Sequence, residues 1–127
     1  MSDKRKVLVV DDEPDMVTWI TTIFEDGGYD TISANNGIDG FEKAKSEKPD
    51  LITLDISMDK ESGLKALRHL QESDDTKGIP IIIITGVSVD LKRFIERNNK
   101  LNFPEAFLEK PIDKDELLKT AAGILSK

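Results

Sequence analysis

The chain has 127 residues, 38% hydrophobic and 34% charged, a length that suits a single domain over 1–127 with its own hydrophobic core. A net charge of −7 argues against nucleic acid as a partner, because phosphate backbones are neutralised by Lys and Arg, but leaves room for a metal and for a basic protein face. The absence of cysteine excludes disulfides and thiolate sites, and no apolar run reaches the ~20 residues of a membrane span, so a cytoplasmic setting without a membrane partner is expected.

In chain order, residues 7–10 form a continuous apolar, β-branched run of the kind found in strands buried on both faces. Met16, Ile20, Ile23 and Phe24 then recur at helical spacing, with Pro14 placed for a first turn and Trp19 on the flank. Residues 29–34 alternate polar and apolar, as an edge strand does. Asn36-Gly37 can cap a second helix burying Ile38, Phe41 and Ala44. Residues 51–54 repeat the buried-strand pattern and precede a helix carrying Leu64, Leu67 and Leu70, with His69 on its exposed side. A fourth strand over 81–84 leads to a fourth helix marked by Leu91, Phe94 and Ile95. A short strand over 106–108 precedes Asp113, which with Glu116 forms a capping-box pattern for a fifth helix burying Leu117, Ala121 and Ile124.

Alternating strands and helices with short loops predict an α/β fold with a parallel sheet covered on both faces. Right-handed crossovers leave the flavodoxin-like (βα)5 three-layer sandwich, with strand order 2-1-3-4-5, as the natural arrangement. A single domain with no output domain is expected over residues 1–127.

In such sheets the chemistry collects at the carboxyl ends of the strands. Asp11 and Asp12 follow the first strand, Asp55 the third, Thr85 and Gly86 the fourth, and Glu109, Lys110 and Pro111 the fifth. Two like charges ~4 Å apart repel by roughly 4 kcal/mol at an effective dielectric near 20, and one ammonium offsets only part of that. Removing the charge of Asp12 is therefore expected to raise stability in metal-free buffer. An oxygen-only donor set favours a hard cation, Mg²⁺. The rim suits phosphoryl transfer to a carboxylate nucleophile, with the metal, Lys110 and Thr85 holding phosphoryl oxygens.

Val9-Val10-Asp11-Asp12-Glu13-Pro14, Leu51-Ile52-Thr53-Leu54-Asp55-Ile56, Ile83-Ile84-Thr85-Gly86 and Phe107-Leu108-Glu109-Lys110-Pro111 each end a predicted strand. In that order they resemble the receiver domain of two-component response regulators, over about residues 6–125. The resemblance implies that Asp55 is the phosphoacceptor and that Mg²⁺ is held by Asp12, Asp55 and the backbone carbonyl of Ser57, with Asp11 acting through water. It implies that Thr85 and Phe107 form the switch, that Lys110 contacts the phosphoryl group, and that the Lys110–Pro111 bond is cis. A sensor histidine kinase or histidine phosphotransfer protein would donate the phosphoryl group. A downstream protein effector would read the face made by the fourth helix, fifth strand and fifth helix, on a monomer or weak dimer. The domain would catalyse its own phosphorylation and dephosphorylation without being an enzyme in the usual sense. Asp59 stands where the family often has proline, and the stretch between Thr85 and Lys110 is longer than usual.

Two other classes fit the residues less well. A phosphatase with an aspartate nucleophile needs a second acid two residues on, where this chain has Ser57. A flavin mononucleotide carrier needs a hydroxyl-rich first loop, where this chain has Asp11-Asp12-Glu13.

Overall fold

The computed structural model describes residues 4–56, 60–86 and 104–126. Its elements are β1 (Lys6–Val10), α1 (Pro14–Asp26), β2 (Asp30–Ala34), α2 (Gly37–Glu47), β3 (Leu51–Asp55), α3 (Lys60–Glu72), β4 (Ile81–Thr85), β5 (Ala106–Glu109) and α4 (Lys114–Leu125). The helix expected over Leu91, Phe94 and Ile95 lies outside the described residues. All strand pairs are parallel, in the order β2-β1-β3-β4-β5. This is the flavodoxin-like sheet that the alternation predicts.

The period of two along each strand divides the core. Leu8, Val10, Ile52, Leu54 and Ile83 face Ala44, Leu67 and Leu70 from α2 and α3. Val7, Val9, Leu51, Ile82 and Ile84 face Ile20, Ile23 and Phe24 from α1 and Leu117 and Ala121 from α4. Each Val, Leu, Ile or Phe side chain among them contributes roughly 1.5–3 kcal/mol when fully buried. The continuous apolar runs thus reflect two covered faces, whereas β2, at the sheet edge, buries only Ala34 completely.

Local chemistry sets the helix starts. Pro14 opens α1, where its missing N–H costs nothing. The Asn36 side chain accepts from the Asp39 N–H at 2.8 Å to start α2. Asp113 Oδ1 accepts from the N–H groups of Asp115 and Glu116 to start α4.

Two details differ from the pattern-based reading. Ile38 is 81% exposed, not buried. The inward positions of α2 are Gly40 and Ala44, and a Cβ at Gly40 would come within 2.8 Å of Val10 Cγ2. The helix therefore lies so close to β1 that Ile38, in its first turn, points to solvent. Secondly, β3, β4 and β5 each run one residue further than predicted. The ladder pairs Asp55 with Ile84 and Thr85 with Glu109, drawing both polar residues into the sheet. His69 is exposed as expected, with its ring 5.7 Å from that of Phe41. Among the described residues, no helix is long and apolar enough to cross a membrane.

Candidate functional site

The adjacent strands β1, β3, β4 and β5 deliver their last residues to one rim. Asp11 leaves β1 with its N–H donating to the Ala34 carbonyl at 3.1 Å. Its Oδ1 accepts from the Glu13 N–H at 2.9 Å, which turns the chain into α1. Its Oδ2 is buried with no hydrogen-bond partner, and the Lys110 ammonium lies 3.9 Å away. Burial, with the negative charge of Asp55 adding to it, pushes the Asp11 carboxyl up to about 7, against the Glu13 N–H and Lys110. The residue that bears the desolvation is thus Asp11, with no side-chain exposure, while Asp12 beside it is exposed. The sequence pattern predicts crowding among the rim carboxylates; the one with an oxygen buried without a hydrogen-bond partner is Asp11.

Asp55 ends β3 and is 1% exposed. Lys110 Nζ donates to Asp55 Oδ2 at 2.6 Å and lies 3.8 Å from Glu13 Oε1. Burial alone would lower the Lys110 ammonium below its usual value. The hydrogen bond and charge of Asp55, together with Asp11 and Glu13, outweigh that and hold it above. Lys110 therefore stays charged. Its N–H donates to the Thr85 carbonyl at 3.0 Å, tying the end of β5 to that of β4. Thr85 itself is buried at the rim, and the Lys110–Pro111 peptide bond is cis.

Asp11, Asp12, Glu13 and Asp55 each offer a carboxylate oxygen, all within 4.8 Å of one another. The sequence reading left Glu13 out of this group. Its place directly after Asp11-Asp12 is the available signal, but the start of a helix explains an acid there equally well. An oxygen-only set containing a desolvated, unpartnered Asp11 oxygen fits a hard divalent cation. Ser57, the expected source of a backbone carbonyl, and Asp59 lie outside the described residues.

Gly63 of α3 fixes the chain just past Asp55. A Cβ there would come within 2.6 Å of Ile56 Cγ2 and 2.8 Å of Ile56 Cα, so α3 abuts the backbone next to Asp55 only because residue 63 has no side chain. Phe107 of β5 pairs with Ile83 and packs, half-buried, against the core under α2 and α3.

The sequence model of the family described as "Response regulator receiver domain" matches residues 7–122. The chain is 34% identical over 121 residues to protein PilH of Pseudomonas aeruginosa, covering 95% of this chain and 98% of that one. Among solved structures it resembles chemotaxis protein CheY4 of Vibrio cholerae, at 25% identity and a TM-score of 0.83, over 95% of this chain and 98% of that one. It shares its fold with the receiver domain of sensor histidine kinase PA1611 from Pseudomonas aeruginosa, at 22% identity and a TM-score of 0.84, over 98% and 99% of the two chains. That structure has a magnesium ion coordinated in its active-site cleft. With a family match spanning nearly its whole length, the chain belongs to the response regulator receiver domain family of two-component signalling.

Proposed function

We propose that this receiver accepts a phosphoryl group on Asp55, with Mg²⁺ present, from the phosphohistidine of a sensor histidine kinase or phosphotransfer protein. Asp12, Asp55 and the Ser57 carbonyl would hold the cation, with Asp11 acting through water. When bound, the cation supplies charge neutralisation to the crowded carboxylates and to the transferring phosphoryl oxygens. The observation that carries the reading is the 2.6 Å hydrogen bond from Lys110 to Asp55, beside an Asp11 oxygen that is buried without a hydrogen-bond partner.

In the transfer, an Asp55 carboxylate oxygen attacks phosphorus as the bond from phosphorus to the donor imidazole nitrogen breaks. The electron pair leaves with the imidazole, which takes up a proton on its way out. The protein's part is positioning and charge compensation. Lys110, held charged beside Asp55, passes a hydrogen bond to a phosphoryl oxygen. The Thr85 hydroxyl donates a hydrogen bond to another phosphoryl oxygen, and its movement frees Phe107 to shift. The product carries about −2 charge and three strong acceptors where a single carboxylate stood. That change biases a two-state equilibrium in the surface formed by the predicted fourth helix, β5 and α4, which a protein effector then reads. Attack of water on the same phosphorus breaks its bond to the Asp55 oxygen, releases inorganic phosphate and returns the Asp55 carboxylate. We place this cycle in the cytoplasm, on a monomer or weak dimer.

Acetyl phosphate with Mg²⁺ should add one phosphate to the intact mass of the wild-type protein and none to Asp55→Asn. The same mass gain in the mutant would refute the assignment of Asp55.

A further inference from the structure

Glu13 occupies the N-cap position of α1 with an extended backbone, φ −97 and ψ 115, yet its side chain makes no capping hydrogen bond. Ser, Thr, Asp and Asn are favoured there because their short side chains can reach back to the first turn. The Glu13 backbone is held from both sides. Its N–H donates to Asp11 Oδ1 at 2.9 Å, and its carbonyl accepts from the Val17 N–H at 3.0 Å. With the backbone so fixed, the carboxylate leans over the rim instead of capping the helix. It lies 3.8 Å from Lys110 Nζ and within 4.8 Å of oxygens from Asp11, Asp12 and Asp55.

The side chain of Glu13 is 63% exposed, so an ion pair with Lys110 alone contributes little. Lys110 is already engaged at 2.6 Å by Asp55. The rim therefore has an excess of carboxylate, and the buried Asp11 Oδ2 has no hydrogen-bond partner. That oxygen marks where positive charge is wanted, independently of the clustering itself. A doubly charged ion placed among these oxygens would attract Glu13 more strongly than the shared ammonium does.

We propose that Glu13 is a further acidic contributor to the divalent-cation site, so that the ion is held by Glu13 as well as by Asp12 and Asp55. This rests on reading the rim as a cation-dependent phosphoacceptor site. Asp15, an exposed acid in the first turn of the same helix, provides a control for charge without membership of the cluster.

The test is calorimetric titration of Mg²⁺ into the wild-type chain, Glu13→Gln and Asp15→Asn at fixed ionic strength. Thermal unfolding of each, with and without Mg²⁺, accompanies it. Glu13→Gln should raise the Kd for Mg²⁺ by roughly threefold to fivefold and shrink the Mg²⁺-induced rise in Tm, with Asp15→Asn unchanged. Equal Kd values for wild type and Glu13→Gln would overturn the proposal while leaving the cation site standing. Equal weakening by both substitutions would reduce the effect to overall charge and also overturn it. Absence of Mg²⁺ binding by the wild-type chain would bring down the underlying reading and this proposal together.

Discussion

The Lys110 ammonium reaches Asp55 at 2.6 Å by crossing above the end of β4, joining the tips of two strands that are not neighbours in the sheet. Asp55 is almost fully buried, and the Lys110 side chain is 18% exposed, so water does little to replace this bond. A hydrogen bond to a charged group contributes about 1.5–3 kcal/mol. Lys110→Met, which keeps the length of the stem, should therefore lower stability by about 2 kcal/mol in metal-free buffer at neutral pH. Urea denaturation measures this directly; an unchanged midpoint would mean that the pair contributes nothing to folding.

The raised carboxyl of Asp11 makes stability depend on pH. At low pH the group is protonated in both the folded and the unfolded chain. Above its ordinary value of 3.8 the unfolded chain releases the proton, while the folded protein retains it up to about 7. The site's contribution is thus fully present below 3.8 and is lost as pH rises through about 7. Asp11→Asn, which stays neutral throughout, should abolish this part of the slope. Denaturation midpoints in chelator, followed from acidic to mildly alkaline pH, should fall for the wild type relative to Asp11→Asn. Parallel curves would contradict the burial argument.

Gly63 sets two effects against each other. Alanine is better than glycine inside a helix by about 1 kcal/mol, so propensity alone predicts a gain for Gly63→Ala. The added Cβ would lie 2.6 Å from Ile56 Cγ2 and 2.8 Å from Ile56 Cα, where backbone must yield. Overpacking of this kind costs about 1–3 kcal/mol, so a net loss is expected. Because Ile56 directly follows Asp55, phosphorylation by acetyl phosphate should slow as well. A stabilised variant with normal labelling would show that α3 can move away freely.

Thr53, in the middle of β3, has a buried Oγ1 without a hydrogen-bond partner. It pairs with Val9 on one side and Ile82 on the other. Replacing the hydroxyl by a methyl group removes a desolvated polar atom at nearly constant volume. Thr53→Val should raise stability by about 1 kcal/mol, seen as a higher denaturation midpoint. A lower midpoint would mean that the hydroxyl is satisfied in solution.

The sheet was readable in the sequence because burial on both faces writes itself as runs such as Val7 to Val10 and Ile81 to Ile84, which helices rarely show so briefly. The grouping of Asp11, Asp55 and Lys110 followed from strand order alone, since topology puts strand ends side by side. Distances between side chains did not follow. Nothing in the pair Asp11-Asp12 says which carboxyl is buried; that depends on the turn made when the Glu13 N–H bonds Asp11. Glu13 was equally ambiguous, because an acid at a helix start is favoured whether or not it serves a site. Ile38 misled because helical spacing identifies a face only after the close approach of Gly40 to Val10 has fixed the rotation of the helix.

Asp55 is the residue expected to receive the phosphoryl group. Borohydride reduction of the freshly labelled protein converts an aspartyl phosphate to homoserine, and peptide mass spectrometry then locates it. After treatment with acetyl phosphate and Mg²⁺, homoserine should appear at position 55 and nowhere else, and chelation of the metal should prevent it. Homoserine at another aspartate, or labelling that persists undiminished in chelator, would rule out metal-dependent phosphorylation of Asp55.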